Sequence, residues 1–168
     1  VKLIQLREKR LSAKNLYELA LEIAAVTRNS ETRLLINDRA DIAAAVGADG
    51  VHLTSISLRA AIVRKAFGNK MLIGVSAHSD ADVQYAAGGG ADFAVLGPVF
   101  ATPDKEQPIG VEKLRSICTS AGSFPVLALG GIDNSNFQSV IGAGATGFAA
   151  IRSLNDPVSM REILSQIN

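Results

Sequence analysis

The feature that most constrains the fold is a regular alternation of short apolar runs with longer segments whose apolar residues recur at helical spacing. Most of the short runs contain Leu, Ile, Val and Ala without polar alternation, which is typical of parallel strands covered on both faces. The predicted strands are residues 2–7, 33–37, 50–53, 71–76, 93–96, 126–129 and 147–151. The alternation predicts an α/β fold with a parallel sheet.

Helices are predicted between the strands. Residues 12–28 place Leu16, Leu19 and Ile23 on one face, and Ser12 is a favoured residue for the N-cap of such a helix. The same spacing predicts helices over residues 111–120 and 159–167.

A weak internal repeat supports the same organisation. Ala-Val-Gly-Ala-Asp-Gly-Val at residues 45–51 is followed by related sequences at residues 88–94 and 142–149. In each copy we expect a helix to end at a glycine and the chain to enter the next strand almost at once.

Parallel units of this kind form either an open doubly wound sheet or a (β/α)8 TIM barrel. The chain begins inside a predicted strand, which favours a TIM barrel whose first strand is missing from this chain. We expect that strand to lie upstream in the natural protein or to be replaced by a neighbouring chain. With 168 residues, of which 48% are hydrophobic, residues 1–168 are predicted to form a single barrel domain.

Charge and cysteine content exclude several classes of function. The 17 Lys and Arg residues nearly balance 16 Asp and Glu residues, so neither nucleic acid nor an anionic membrane is an expected partner. The single cysteine, Cys118, allows no disulfide within the chain and is predicted to be a core residue of a cytoplasmic protein. The apolar runs are far shorter than the roughly 20 residues of a membrane-spanning helix.

Barrels carry their chemistry at the carboxyl ends of the strands, and polar residues follow the first predicted strands. Gln5, Arg7 and Lys9 point the same way if the strand extends that far, and two cations beside an amide suit a diphosphate. A solvated strand end is an equal alternative.

Two further strand ends allow either a ligand or a helix cap. Asn37 and Asp38 end the second strand, and Asp38 is either a magnesium ligand or the cap of the next helix. Ser76 and His78 follow the fourth strand, where Ser79 alternatively caps the helix that begins at Asp80.

The fifth strand runs into residues 97–110, a long loop of the kind that is often functional. Lys105 on this loop is either a phosphate ligand or a solvated lysine. The sixth strand ends in Gly130 and Gly131 and the seventh in Ile151 and Arg152, which is where barrels commonly bind phosphate. Glycines admit a phosphate to backbone N–H groups, so we expect a phosphate site here, the alternative being a tight turn.

Taken together, these segments resemble the thiamine phosphate synthase and TenI family, in order and spacing, over nearly the whole chain. The amino-acid sequence of residues 52–55 and 150–152 is most similar to that of the version of the domain fused behind a Nudix hydrolase. The segments that carry the resemblance are residues 5–9, 37–39, 47–53, 74–79, 97–105 and 128–132.

The resemblance implies an enzyme that joins a thiazole phosphate to hydroxymethylpyrimidine diphosphate and releases diphosphate with magnesium. It implies roles for the residues at both ends of the substrate pair. The pyrimidine diphosphate would be faced by Gln5, Arg7, Lys9 and Asn37, and magnesium would be bound by Asp38. Substrate near the diphosphate would be contacted by Ser76, Thr102 and Lys105. The thiazole phosphate would be bound by Gly130, Gly131, Ile151 and Arg152.

The sequence departs from the family pattern at three positions. Ser57 stands where the synthases carry a second magnesium carboxylate, and Asp104 replaces the usual threonine beside Lys105. Pro98 stands where TenI relatives often carry histidine.

Three functions therefore remain open at this point. The first is a thiamine phosphate synthase, the second a TenI-like thiazole tautomerase that needs no metal, and the third a non-catalytic module that binds a thiamine or thiazole phosphate for a Nudix hydrolase. In each case the expected ligands are small phosphate compounds, and a homodimer is a further expectation.

Overall fold

The structure is a computed structural model that describes residues 1–102 and 107–167. Strands and helices alternate along the chain from the first strand onward. The strands are β1 Leu3–Leu6, β2 Arg33–Asn37, β3 Gly50–Leu53, β4 Leu72–Ala77, β5 Phe93–Leu96, β6 Val126–Leu129 and β7 Gly147–Ala149. The helices are α1 Ala13–Thr27, α2 Ala40–Val46, α3 Ala60–Phe67, α4 Asp80–Gly88, α5 Gly110–Ala121, α6 Phe137–Gly142, α7 Arg152–Asn155 and α8 Pro157–Ile167.

The chain divides into two compact units, the first formed by Val1–Ser76 with Gly88–Asp92 and the second by Ala77–Ala87 with the chain from Phe93 onward. In the first unit β1, β2, β3 and β4 are hydrogen-bonded in sequence order, and every pair is parallel. Its core is built from the apolar faces of α1, α2 and α3 against these strands, with Leu34, Ile36 and Ile73 almost inaccessible to solvent.

In the second unit β5 pairs with β6 and β6 with β7, again in parallel. Its core includes Leu96, Leu114 and Ile163, each fully buried. Cys118 lies in this core, as predicted.

Aspartates of the internal repeat have a defined structural role in the first unit. The carboxylate of Asp49 accepts a hydrogen bond from the backbone N–H of Leu34 at 2.8 Å. In the next copy of the repeat, Asp92 accepts a hydrogen bond from the N–H of Ile73 at 2.6 Å and forms an ion pair with Arg64 at 2.7 Å. Each aspartate thus satisfies the first free donor of a neighbouring strand.

The structure confirms the predicted α/β alternation and parallel pairing. The described residues contain seven strands, so they do not form a closed eight-stranded barrel. Ser12 caps α1 as predicted, accepting a hydrogen bond from the N–H of Asn15 at 3.2 Å. Gly47 ends α2 in the left-handed conformation, with φ of 68°, as the repeat predicts.

Two strand predictions are too long. β1 ends at Leu6, so Arg7 and Lys9 follow the strand instead of continuing its alternation. β7 ends at Ala149, so residues 150 and 151, which were predicted as strand, lie in the turn that leads into the short helix α7 at Arg152. Within the described residues, no helix combines the length and apolarity needed to cross a membrane.

Candidate active site

Gln5 and Asn37 meet at the carboxyl ends of adjacent strands in the first unit. The Nε2 amide of Gln5 donates a hydrogen bond to Oδ1 of Asn37 at 2.9 Å. Asn37 is 8% exposed, so the bond fixes a nearly buried amide. The bond uses one N–H of Gln5 and the oxygen of Asn37. Oε1 of Gln5 and the Nδ2 donors of Asn37 therefore remain available to a ligand.

Arg7 and Lys9 follow Gln5 on an exposed segment. Arg7 lies close enough to the buried ring of His52 for its charge to affect that ring. Neither cation is hydrogen-bonded to another side chain in the described part of the chain, so both keep their donors for an anion. Exposed cations with free donors suit the predicted diphosphate contact.

Asp38 does not cap α2. The N-cap position is occupied by Arg39, and the carboxylate of Asp38 instead accepts a hydrogen bond from the hydroxyl of Ser57. The backbone of Asp38 lies in the left-handed region, with φ of 66°, and its N–H donates to the carbonyl of His52 at 2.9 Å. The cap interpretation is therefore wrong, because this backbone turn directs the side chain toward the loop after β3.

Ser76 lies beside a histidine that the sequence did not mark as functional. Nε2 of His52 is 2.9 Å from Oγ of Ser76, and His52 is only 6% exposed. Burial, together with the nearby charge of Arg7, lowers the pKa of His52 to about 4, and the carboxylate of Asp38 partly opposes these two effects. Sequence reasoning missed this pair, although a histidine inside the fully buried strand β3 was the available signal.

These contacts join four predicted residues into one cluster of the first unit. Gln5 is bonded to Asn37, Asn37 pairs in register with His52, and His52 contacts Ser76. Asp38 follows Asn37 directly. Among residues 1–102 and 107–167 no group of three or more His, Cys, Asp or Glu side chains is placed to hold a metal.

His78 and Ser79, in the second unit, have structural partners. Nδ1 of His78 is 2.7 Å from the carbonyl oxygen of Gly97, which only accepts, so this nitrogen carries the proton. Ser79 accepts a hydrogen bond from the N–H of Asp82 at 3.2 Å, which confirms the capping interpretation.

The loop after β5 is held at its base by backbone hydrogen bonds. The N–H of Ile109 donates to the carbonyl of Pro98 at 2.9 Å, and the N–H of Gly110 donates to that of Val99 at 3.0 Å. On this loop Oγ1 of Thr102 is buried without a hydrogen-bond partner among the described residues. Lys105 and Asp104 lie outside the described residues.

Packing explains the two glycines after β6. A Cβ at Gly130 would meet Cα of Pro98 at 2.6 Å, and one at Gly131 would meet Cβ of Phe100 and the carbonyl oxygen of Ala101 at 2.8 Å. Both residues also have positive φ, 103° and 63°. The tight turn therefore requires both glycines, and a phosphate role would come in addition to it.

The end of β7 carries the remaining predicted residues. Ile151 is 67% exposed and occupies the N-cap of α7, and Arg152 is the first residue of that helix. The buried hydroxyl of Ser153 donates to the carbonyl of Ile132 at 2.8 Å. This contact, which sequence reasoning missed, ties α7 to the loop that begins with Gly130 and Gly131.

The sequence profile described as thiamine monophosphate synthase matches residues 1–154. The chain belongs to the thiamine monophosphate synthase family. The match covers β1 to β7, together with all the candidate site residues in both units.

Relatives and a solved structure agree with this assignment. The chain is 42% identical over 154 residues to a thiamine-phosphate synthase of Chloroflexus aurantiacus, covering 90% of this chain and 70% of that protein. It is 43% identical to one of Gloeobacter violaceus, covering 90% of this chain and 45% of that longer protein. The structure of thiamine phosphate pyrophosphorylase from Pyrococcus furiosus matches with a TM-score of 0.88 at 30% identity, over 98% of this chain and 81% of the other. The family's fold is therefore the fold of this chain.

Proposed function

We propose that this chain is a thiamine-phosphate synthase, a transferase that joins thiazole phosphate to hydroxymethylpyrimidine diphosphate and releases diphosphate. The family match over residues 1–154 carries the proposal. The polar cluster at the ends of β1, β2 and β4 supports it, because its free groups suit a charged, hydrogen-bonding substrate.

In the proposed reaction the bond between the pyrimidine methylene carbon and the diphosphate oxygen breaks first. The leaving diphosphate takes the electron pair, and the ring nitrogen of the thiazole then donates its own pair to the methylene cation. Binding, orientation and stabilisation of charge on the leaving group are the protein's contribution. Arg7 and Lys9 supply positive charge, Ser76 supplies a hydroxyl donor, and Lys105 and Thr102 are proposed to contact the same group.

Gln5 and Asn37 are proposed to orient the pyrimidine diphosphate. Their mutual hydrogen bond leaves the oxygen and one N–H of Gln5 and both N–H groups of Asn37, which is a directional pattern. Turning over one amide alone would place like groups against each other and break the bond, so the two amides are oriented as a pair.

Asp38 fits a magnesium ion that is shared with substrate. Mg²⁺ is commonly bound through one or two carboxylates together with substrate phosphates, and Asp38 provides one carboxylate beside the proposed diphosphate site. When bound, the ion would neutralise charge on the leaving group. Ser57 contributes no negative charge, and its hydroxyl holds Asp38 by a hydrogen bond.

The thiazole phosphate is assigned to the second unit. Gly130, Gly131 and the backbone near Ile151 and Arg152 form the proposed site. The contact between Ser153 and Ile132 supports this assignment, since it holds the two backbone segments together. Residues 1–168 are proposed to act as one barrel domain, with the eighth strand supplied from outside these residues.

The decisive assay supplies both substrates with magnesium and measures thiamine phosphate by chromatography. We expect product from the wild-type chain and a sharp loss with Lys105→Ala, while Lys113→Ala, a change of an exposed lysine on α5, keeps the wild-type rate. No product at high enzyme concentration would refute the synthase proposal.

One observation favours a second candidate function. A neutral hydroxyl, that of Ser57, contacts Asp38 where a second carboxylate is expected in a synthase, and a TenI-like thiazole tautomerase needs no metal. This alternative predicts conversion of the non-aromatic thiazole phosphate tautomer in the presence of EDTA.

The remaining predictions concern the setting of the domain. A non-catalytic module beside a Nudix hydrolase would bind thiazole phosphate without turning over any precursor, and the gene sequence upstream would reveal the fusion. A cytoplasmic location and a homodimer are proposed as well, the latter to be checked by sedimentation.

A further inference from the structure

We infer that His52 is a positioning residue, whose Nε2–H donates a hydrogen bond to Oγ of Ser76 and thereby directs the Ser76 hydroxyl toward the diphosphate. The inference rests on the proposed function, since it needs an anionic oxygen in front of Ser76. It gives a role to a buried polar side chain that the proposed reaction does not otherwise use.

The geometry holds the imidazole ring in one place. His52 pairs in register with Asn37 on one side and with Gly74 on the other. Its carbonyl accepts the N–H of Asp38 at 2.9 Å, and only 6% of the residue is exposed. The 2.9 Å separation of Nε2 from Oγ of Ser76 is therefore a contact between a fixed ring and a half-buried hydroxyl.

The direction of this hydrogen bond follows from counting protons. A serine hydroxyl has one proton to donate and two lone pairs to accept with, whereas a diphosphate oxygen only accepts. If Ser76 gives its proton to the diphosphate, its oxygen must accept from His52, so Nε2 must carry hydrogen. In the opposite arrangement Ser76 would donate to the ring and turn its lone pairs toward the anion, which is repulsive.

The ring therefore acts through Ser76. A hydrogen bond to a charged group is worth more than a neutral one, and its loss at a leaving group lowers kcat by roughly tenfold. Since the thiazole phosphate is assigned to the second unit, KM for that substrate should not change.

A double-mutant cycle tests this coupling. We expect His52→Leu and Ser76→Ala each to lower kcat about tenfold, and the double variant to be less than about twofold worse than Ser76→Ala alone. His52→Gln keeps an N–H donor in a similar place and should recover most of the loss. Losses that multiply in the double variant, or a Gln variant as slow as the Leu variant, would overturn the inference.

Nitrogen NMR of the imidazole rings supplies a measurement that does not depend on turnover. The chain has two histidines, so a His78→Gln variant assigns both spectra. With inorganic diphosphate and magnesium added to the wild-type protein, we expect the Nε2–H form at His52 and the Nδ1–H form at His78. An Nδ1–H form at His52 in the diphosphate complex would refute the proposed direction.

The two experiments separate this inference from the proposed function. A wild-type chain that binds diphosphate with the Nε2–H form at His52, yet makes no thiamine phosphate, would support the positioning role and refute the synthase. Synthase activity in which the losses of kcat from His52→Leu and Ser76→Ala multiply would support the proposed function and refute the positioning role.

Discussion

The hydroxyl of Ser57 donates a hydrogen bond to Oδ1 of Asp38, and its oxygen accepts one from the backbone N–H of Thr54 at 2.6 Å. A neutral group from the loop after β3 thus occupies one oxygen of the carboxylate proposed to bind magnesium. The contact shows where a second acidic residue would stand if the chain carried one.

Replacing Ser57 with aspartate should therefore strengthen magnesium binding. A second carboxylate beside Asp38 adds the negative charge that a hard divalent cation prefers. We expect Ser57→Asp to lower the magnesium concentration for half-maximal rate about tenfold, or roughly 1.4 kcal/mol. Ser57→Asn is the neutral control, and equal responses from the two variants would argue against a metal at Asp38.

The positive φ of Asp38 predicts an unusual order of stability among its variants. Glycine accepts the left-handed conformation freely, whereas alanine there is strained by about 1–2 kcal/mol. Asp38→Gly should thus unfold at higher urea concentration than Asp38→Ala, although both lose the Ser57 contact and the magnesium response. The opposite order would mean that the backbone at this residue is not left-handed in solution.

The glycines after β6 should tolerate no side chain. Gly131→Ala would place Cβ at 2.8 Å from Cβ of Phe100, with φ of 63° as a further strain, and we expect it to cost about 2–4 kcal/mol of unfolding free energy. Gly142→Ala is the matched control, because it lies in α6 with nothing within 4 Å of the added carbon. The control should be neutral or slightly stabilising, and similar losses in both variants would contradict the packing explanation.

The repeat aspartates should matter for folding more than for catalysis. Asp92→Ala leaves the N–H of Ile73 without its acceptor, at an expected cost of about 2 kcal/mol in urea unfolding. Asp92→Asn keeps an acceptor oxygen and should lose about half as much. If neither variant changes the unfolding midpoint, the contact does not contribute to stability.

Burial of His52 predicts a loss of stability in acid. Its pKa of about 4 in the folded chain lies below the ordinary 6.5, so the unfolded chain binds more protons between these values. The stabilisation is complete above about pH 6.5 and is lost as pH falls toward 4, amounting to about 2 kcal/mol by about pH 5. Urea unfolding at about pH 6.5 and about pH 5 should show this loss of unfolding free energy in the wild type and not in His52→Gln.

The sequence predicted the strands well because buried parallel strands are uniformly apolar. The bounds of β2, β3, β5 and β6 agree with the structure to the residue. Errors arose at strand ends, because Arg7 already lies beyond the pairing of β1 and apolar character continues past the pairing of β7. Ile151 reads as strand by composition, yet it is 67% exposed and begins the turn into α7.

Single positions in the site were predictable, while their pairings were not. From spacing alone Asp38 favoured a helix cap over a metal ligand, and its positive φ, which the sequence does not reveal, decides against the cap. The contact of His52 with Ser76 joins residues 24 positions apart on adjacent strands, so it depends on register. Gly130 and Gly131 suggested a phosphate site in the sequence, whereas close packing against Pro98 and Phe100 already explains why both positions require glycine.

Two backbone hydrogen bonds, from Ile109 to Pro98 and from Gly110 to Val99, affect how the loop after β5 can change in evolution. They close the segment at its stem, so insertions or replacements beyond the stem need not disturb β5 or α5. Doubling the length of a flexible loop costs only about 0.6 kcal/mol. The segment can therefore be exchanged between relatives while β5 and α5 stay the same.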